Sequence, residues 1–536
     1  MRHPTPDPRS PSRRRATLAA LFALVGCGGG GDEAPTPQPG PPPGQPSRPP
    51  PGPPVDGPPW RGFAGDAQHT ALSAIASQPL ATIAWSTPVD LAPRYTGSGA
   101  LLAHYGSPVI TRRNTVVLAV KNGDAFVIEA RAGGNGSLLW SLETDVRLPP
   151  HDWVPSVNLA LAGEARVLAP AAGGRVLIRD DADAASGATR TVAFYGDAAY
   201  AAASATYDAT VFINTPLTTD SQGNAWFGFT VTGTNPLGLQ GGIARIGADG
   251  STTFTTAAAA SGDAAMAKTA TNAAPALSLD ERTVYAVVNN AAPAGTRAFG
   301  RIVALDAVTL APRASTALLD PLTGTAAWVS DNASSSPTVG PDGHVYLGVL
   351  EANAPAHSFR GWLLHFDAAL SAAGAPGSFG WDNTVSIVPR AMLPLYAGQS
   401  AYLLLMKSNS YGGIGLGDGR HRVAIVDPKD RQPDAFSSAT VMREVISVLG
   451  PTPSSEVPGG VEEWCINTAA VDPATQSVLM NSEDGRVYRW HLPTNTLSEN
   501  IAMNNGYAQA YTPTAIGPDG RVYAVNNARL FSIGAS

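Results

Sequence analysis

A chain of 536 residues, 44% hydrophobic and only 14% charged, is long enough to fill one large closed β architecture, and its 56 glycines and 47 prolines favour strands and tight turns over long helices. The formal charge is -7, but five arginines and a single aspartate fall in the first 26 residues, which leaves 30 basic and 41 acidic residues beyond them. That acidic surplus disfavours nucleic acid as a partner.

Arg13, Arg14 and Arg15 precede the apolar run Ala16 to Val25, a charged segment followed by a hydrophobic one too short to span a bilayer permanently. The run ends in Leu24-Val25-Gly26-Cys27, which resembles the lipobox of bacterial lipoproteins. The resemblance implies cleavage before Cys27, a diacylglycerol on its sulfur, and a mature chain anchored to a membrane through its lipid; an ordinary secretory signal is the competing reading. Gly28 and Gly29 lack the aspartate that, in the enterobacterial pattern, retains lipoproteins at the inner membrane. An outer-membrane location, facing periplasm or exterior, is therefore expected. From Gly28 to Pro59 the chain is Gly-rich and then Pro-rich, a composition that buries no core and favours extended polyproline II. The expected division is a signal peptide at 1–26, a lipidated tether at 27–59 and a folded domain at 60–536.

The folded part begins with "PWRGFAGDAQHTALS", which holds Trp60, Phe63, Gly65, Asp66, His69 and Thr70. Strand starts then recur at Pro108, Pro155, Pro216, Pro275, Pro337, Pro394 and Pro513, with a further one at "NTAAV" that lacks the proline. Turns and β-rich runs follow, as at Gly223-Asn224, Asp342-Gly343, Asp484-Gly485 and Asp519-Gly520, where the turn residues supply positive φ. Third strands end near Asp306, Asp367 and Asp427, and a fourth is clear around Trp140. Both the opening segment and the repeat resemble PQQ-like propeller proteins. A spacing of roughly 45 to 70 residues suits four-stranded blades with variable loops. The expected fold is all-β, a single propeller of about eight four-stranded blades. Its last module supplies strands near Thr512 to Ile516, Val522 to Val525 and Leu530 to Ile533, one short of a full sheet. The unassigned segment Ala81 to Val89 around Trp85 is expected to complete it, so that N- and C-terminal strands close the ring.

Quinoprotein dehydrogenases of the resembled class carry adjacent cysteines in a ring disulfide, with Asp, Glu and Asn around calcium. Beyond Cys27 this chain has only Cys465, so no such disulfide can form. The resemblance therefore points to the branch of scaffolds and assembly factors, with no cofactor. No HExxH, GxSxG or Walker pattern occurs. The run Gly412 to Gly419 lacks true GxGxxG spacing and follows no βα unit. Asp180, Asp181 and Asp183 read as a solvated turn, with a calcium loop as the alternative, and no metal is expected.

Polar and aromatic residues gather just before the inner strands, where a propeller chain crosses one face near the channel. They are His104 and Tyr105; His151, Asp152 and Trp153; Trp328, Asp331 and Asn332; Glu463, Trp464, Cys465 and Asn467; and Asn505, Tyr507 and Tyr511. In one reading the tryptophans pack between blades and the polar groups cap backbone at the channel mouth. In the other they line a funnel for a ligand or peptide. Cys465 is either a small buried hydrophobe or a nucleophile. The expected function is a non-catalytic binding or scaffolding lipoprotein of the cell envelope, with an envelope protein or peptide as partner. The alternative is a propeller enzyme, a hydrolase, lyase or degenerate oxidoreductase, with His151 and Asp152 as its proton-transfer pair.

Overall fold

Apolar runs such as Thr115–Asn122 and Ala125–Ala132 pair directly, because Gly123 takes a left-handed turn (φ 61°) between Asn122 and its partner Ala125. The computed structural model describes residues 55–95, 101, 103–151, 155–292, 297–329, 331, 335–353, 355–454, 457–504 and 510–535. Blade 1 consists of Val109–Ile110, Thr115–Asn122, Ala125–Ala132 and Leu138–Glu143 in antiparallel order. The pattern repeats from Ala160–Ala162 to Thr189–Ala193 (blade 2), Val211–Ile213 to Thr252–Thr256 (blade 3) and Lys268–Thr269 to Pro312–Ala317 (blade 4). Blade 5 runs from Thr338–Val339 to Trp362–Phe366, blade 6 from Ser386–Pro389 to Thr440–Leu449, and blade 7 from Ala470–Asp472 to Thr496–Ala502.

Each blade shares an apolar interior with the next, which makes the eight sheets a ring. Val117 and Trp140 of blade 1 pack with Leu161 and Val167 of blade 2, and at the other side Ile110 and Val116 pack with Ala515 and Leu530 of blade 8. Buried tryptophans lock neighbours together: the Trp140 indole donates to the Ala182 carbonyl at 2.8 Å and that of Trp226 to the Ala307 carbonyl at 2.9 Å.

Blade 8 contains the expected closure. Ala515–Ile516, Val522–Asn526 and Arg529–Gly534 provide three strands, and Thr82–Pro88 pairs antiparallel with the last of them, from Thr82 opposite Gly534 to Pro88 opposite Arg529. A second closure precedes it. The segment from Gly57 to Gln78 circles the inner strands and hydrogen-bonds blade after blade. Trp60 pairs with Ile110, and the carbonyls of Arg61, Ala67, Gln68 and Thr70 accept from Leu161, Leu277, Val339 and Ile387. Ser73 donates to Val471, and Gln78 to Gly520. Blade 3 is reached through the buried His69, whose Nε2 lies 3.5 Å from Thr218 Oγ1. Phe63, Ala64 and Ala71 are buried with Ala274 along this path.

Three details differ from the sequence reading. The inner strand of blade 6 is Ser386–Pro389, so Pro394 falls in the following connection, where Leu395 is 90% exposed. The Asp484-Gly485 turn joins the second and third strands of blade 7, not the first and second. Blade 5 has three strands, its fourth reduced to the bridges Leu363–Gly377 and Phe366–Ala372. The long blade 6 hairpin of Arg422–Pro433 and Thr440–Leu449 covers that edge, with the Met442 amide donating to the Pro376 carbonyl. There Asp434 accepts from Ser378 and Ser437 and contacts His357 at 3.0 Å. Burial pushes its carboxyl up, but these hydrogen bonds outweigh burial and hold it at about 2.

Removing residues 55–90 takes away both closures, and we expect the melting temperature to fall by several degrees or more, with aggregation through the exposed Arg529–Gly534 edge. Removing 28–54 should leave melting unchanged. Equal melting of the two truncations in thermal scans would contradict this account.

Candidate functional site

Because the strands alternate in direction, the crossings between blades and the loops after each second strand lie on one face of the ring. A chain of hydrogen bonds links the crossings there. The Ser107 amide donates to Asn158 (3.1 Å), Ser156 to Asn272 (3.0 Å), Ala274 to Ser336 (2.9 Å), and Ser336 to Thr384 (3.0 Å). Thr384 then donates to the Asn467 carbonyl and Asn467 to that of Tyr511, both at 3.0 Å, and the Thr512 hydroxyl to that of Tyr105 at 2.9 Å. Small polar residues precede the inner strands because each must satisfy backbone of the neighbouring blade.

Between blades 5 and 8 this circuit surrounds a polar cluster that is buried except for the half-buried Glu463. Asn467 Nδ2 donates to the Tyr511 hydroxyl at 3.0 Å, and the Tyr511 ring is stacked on His104 at 3.8 Å. Glu463 accepts from Tyr411 at 3.0 Å and from Asn409 at 3.1 Å. Lys407, 2% exposed at the end of Tyr402–Ser408, brings its ammonium to 3.9 Å from Asp382. Cys465 is buried among these groups, close enough to Lys407, Glu463, Asp382 and Glu483 to feel their charge. Burial dominates the electrostatics. It raises the Asp382 carboxyl to about 6 against the pull of Lys407, pushes Glu463 up with the Asp382 charge adding to it, and lifts the Cys465 thiol far from ready ionisation.

The expected residues thus divide. His104, Cys465, Asn467 and Tyr511 come together in the cluster. Trp464 is buried beside them and packs edge-to-face on Tyr488, between blades 6 and 7. Tyr105 stands apart, its hydroxyl donating to the buried Asp90, which pairs with Lys121 at 3.6 Å. Asp331 also lies elsewhere, 2.6 Å from Lys268 and accepting from Asn289 and Thr271. Trp328, under Arg297, borders with Asp382 a cavity of about 10 Å³. His151 is exposed, and among the described residues its Nδ1 contacts the Pro149 carbonyl two residues away. Asp152, Trp153, Asn332, Asn505, Tyr507 and Cys27 lie outside the described residues.

Asp382, Lys407, Asn409 and Tyr411 escaped sequence reasoning. A signal existed in composition: the chain has four lysines, and three of them, Lys121, Lys268 and Lys407, each pair with an aspartate on this face. On the opposite face an open cleft of about 1100 Å³ is lined by Arg112, Arg113, Arg166 and the acidic turn at Asp180, whose carboxylate is paired with Arg166 at 2.9 Å.

No family model matches this sequence, and no curated protein matches it. Solved structures do. A quinohemoprotein alcohol dehydrogenase from Comamonas testosteroni is similar at 12% identity and a TM-score of 0.51, over 89% of this chain and 81% of its own. Quinohemoprotein alcohol dehydrogenase ADHIIG from Pseudomonas putida HK5 gives 14% identity, a TM-score of 0.47 and coverage of 89% and 76%. BamB from Moraxella catarrhalis gives 12%, 0.38 and coverage of 84% and 98%. At such identities the first likeness shows the fold alone, that of a β-propeller.

Asp382 keeps its proton to about pH 6 in the fold, against 3.8 as the ordinary value, so the stability it contributes is full below pH 4 and lost as pH rises through 6. The difference amounts to about 2–3 kcal/mol at most. Asp382→Asn should remove this slope and gain on the wild type at pH 8 relative to pH 5. Melting curves of the two proteins that run parallel from pH 4 to 8 would contradict it.

Proposed function

We propose that this chain is a non-catalytic binding or scaffolding propeller of the bacterial cell envelope, exported, lipidated at Cys27, and presenting its crossing face to an envelope protein or peptide. One observation carries the reading: the reactive groups of the channel mouth are spent on one another. Glu463, half-buried, is held by Tyr411 and Asn409, the buried Tyr511 by Asn467 and by the His104 ring, and the buried Lys407 faces Asp382. Among the described residues, the partner of His151, the other candidate for proton transfer, is the Pro149 carbonyl of its own loop. A general acid or base must reach a substrate proton within hydrogen-bond distance, and the clustered groups are bonded to one another instead. Nor do the mouth residues fit a quinone. The adjacent cysteines are missing, Cys465 is buried, and the flat faces of His104 and Tyr511 cover each other.

The strand-lined, hydrogen-bonded crossings give a rigid frame on which the longer loops can be read by a partner without reorganisation. Purifying the anchored protein from native membranes should bring down a stoichiometric envelope protein or peptide, with no quinone retained after dialysis. Turnover of an ester, glycoside or alcohol that Glu463→Gln abolishes would replace this reading with the enzymatic one.

The anchor makes its own prediction. Cys27→Ser should eliminate palmitate labelling and release the product from membranes or leave it unprocessed; normal labelling and retention of that variant would remove the lipoprotein reading while leaving the propeller intact.

A further inference from the structure

The ladder that closes the ring has a weak end. It begins with Thr82 opposite Gly534, so tension arriving along the chain from its N-terminal side opens the pairs one at a time toward Pro88. From Gly57 to Ser73 the circling segment is held by backbone hydrogen bonds scattered blade by blade, and these also peel in turn. Residues 77–80 are held differently, by a socket to which every strand of blade 7 contributes a side chain: Asp472, Ser477, Arg489 and Glu499. Arg489, 5% exposed, is its centre. Its guanidinium donates to the Ser77 hydroxyl at 2.7 Å, the Gln78 carbonyl at 2.5 Å, the Ser477 hydroxyl at 2.8 Å and the Glu499 carboxylate at 3.0 Å. Ser77 donates in turn to Asp472 from its amide at 2.7 Å and its hydroxyl at 2.5 Å, and the Leu80 amide donates to Glu499 at 2.8 Å. Gln78 is tied to blade 8: its amide and side chain donate to the Gly520 and Asp519 carbonyls, both at 2.7 Å, and its side-chain oxygen accepts from the Ala535 amide at 2.9 Å. Leu80 is buried with Val487 of blade 7 and Ile533 of blade 8. Hydrogen bonds from a guanidinium are of the strong, charge-assisted kind, and pulling the segment out leaves buried charge short of partners.

We propose that residues 77–80, seated in the Arg489 socket between blades 7 and 8, are a load-bearing catch that stops tension on the N-terminal tether before it reaches the closing ladder. The socket lies immediately ahead of Thr82 in the chain, and its bonds must break together rather than in turn. Single backbone contacts farther upstream can therefore peel while the ring stays closed. The catch takes its use from the envelope reading above, in which a lipid at Cys27 and a partner on the crossing face pull the folded chain from opposite sides. Its test needs neither lipid nor partner, so the catch and that reading fail separately.

An optical trap can apply that tension to the unlipidated full chain through DNA handles on the Cys27 sulfur and on Leu395→Cys, a position 90% exposed in blade 6, while the buried Cys465 takes no handle. Peeling of residues 55–76 should release about 75 Å of contour length, at about 3.4 Å per residue, and then halt. The ladder should open only after a dwell at that extension. Arg489→Met, which removes the guanidinium, should shorten the dwell at constant force by about tenfold or more. Ser77→Ala, a smaller change that leaves the blade 7 strands their own pairing, should shorten it in part, and it decides alone should Arg489→Met not fold. A wild-type trace that runs from peeling into ladder rupture without a halt overturns the catch. So does a halt whose dwell is the same in the wild type and the folded variants, because the resistance would then owe nothing to this socket.

Discussion

A ring of eight sheets is only as stable as its closure, and here both devices that close it come from the first part of the folded chain. Thr82–Pro88 completes blade 8 by pairing with Arg529–Gly534, and residues 57–78 bind the inner strands around the circle. Until both are in place, the strand edge of blade 8 is open and the inner strands, some only two residues long, have unsatisfied backbone toward the axis. Shortness of the inner strands and circling of the opening segment are thus one solution. Most inner strands take from the segment hydrogen bonds on the edge that faces away from their own sheet, as Ile110, Leu161, Leu277, Val339, Ile387 and Val471 do.

The same economy shapes the opposite face. Successive crossings satisfy one another through Ser, Thr and Asn side chains, so the channel mouth is polar by structural necessity before it is polar for any function. Burying lysine and carboxyl groups within that frame adds cost as well as order, since their mutual attraction must repay the loss of water.

Much of this was legible beforehand because local patterns specify local structure. Asp-Gly and Gly-Asn turns flanked by valine and tyrosine announce hairpins, their recurrence announces blades, and a last module one strand short, with a lone strand around Trp85, announces the closure. The circling segment was not legible. Its contacts are made by backbone carbonyls at Arg61, Ala67, Gln68 and Thr70, which leave no side-chain pattern. Pro394 misled for a related reason: a proline before apolar residues marks an extended start, but the hydrogen-bonding partner of Ser386–Pro389 is Tyr402–Ser408, and only pairing decides which extended stretch becomes the strand. The mouth cluster was half visible. His104, Cys465, Asn467 and Tyr511 precede inner strands and could be grouped by position, whereas Lys407 and Asn409 end a second strand and meet them only through the ring.

The central claim is that the ladder joining the chain ends shares the stability of the whole ring. Native-state hydrogen exchange read at the amides of Thr82–Pro88 and Arg529–Gly534, beside those of an interior strand such as Val345–Val349, tests it directly. If closure holds the ring, both sets exchange only through global unfolding and report the same free energy. Exchange of the terminal ladder orders of magnitude faster, with the interior strand still protected, would mean that the ends fray independently and that the ring stands without them.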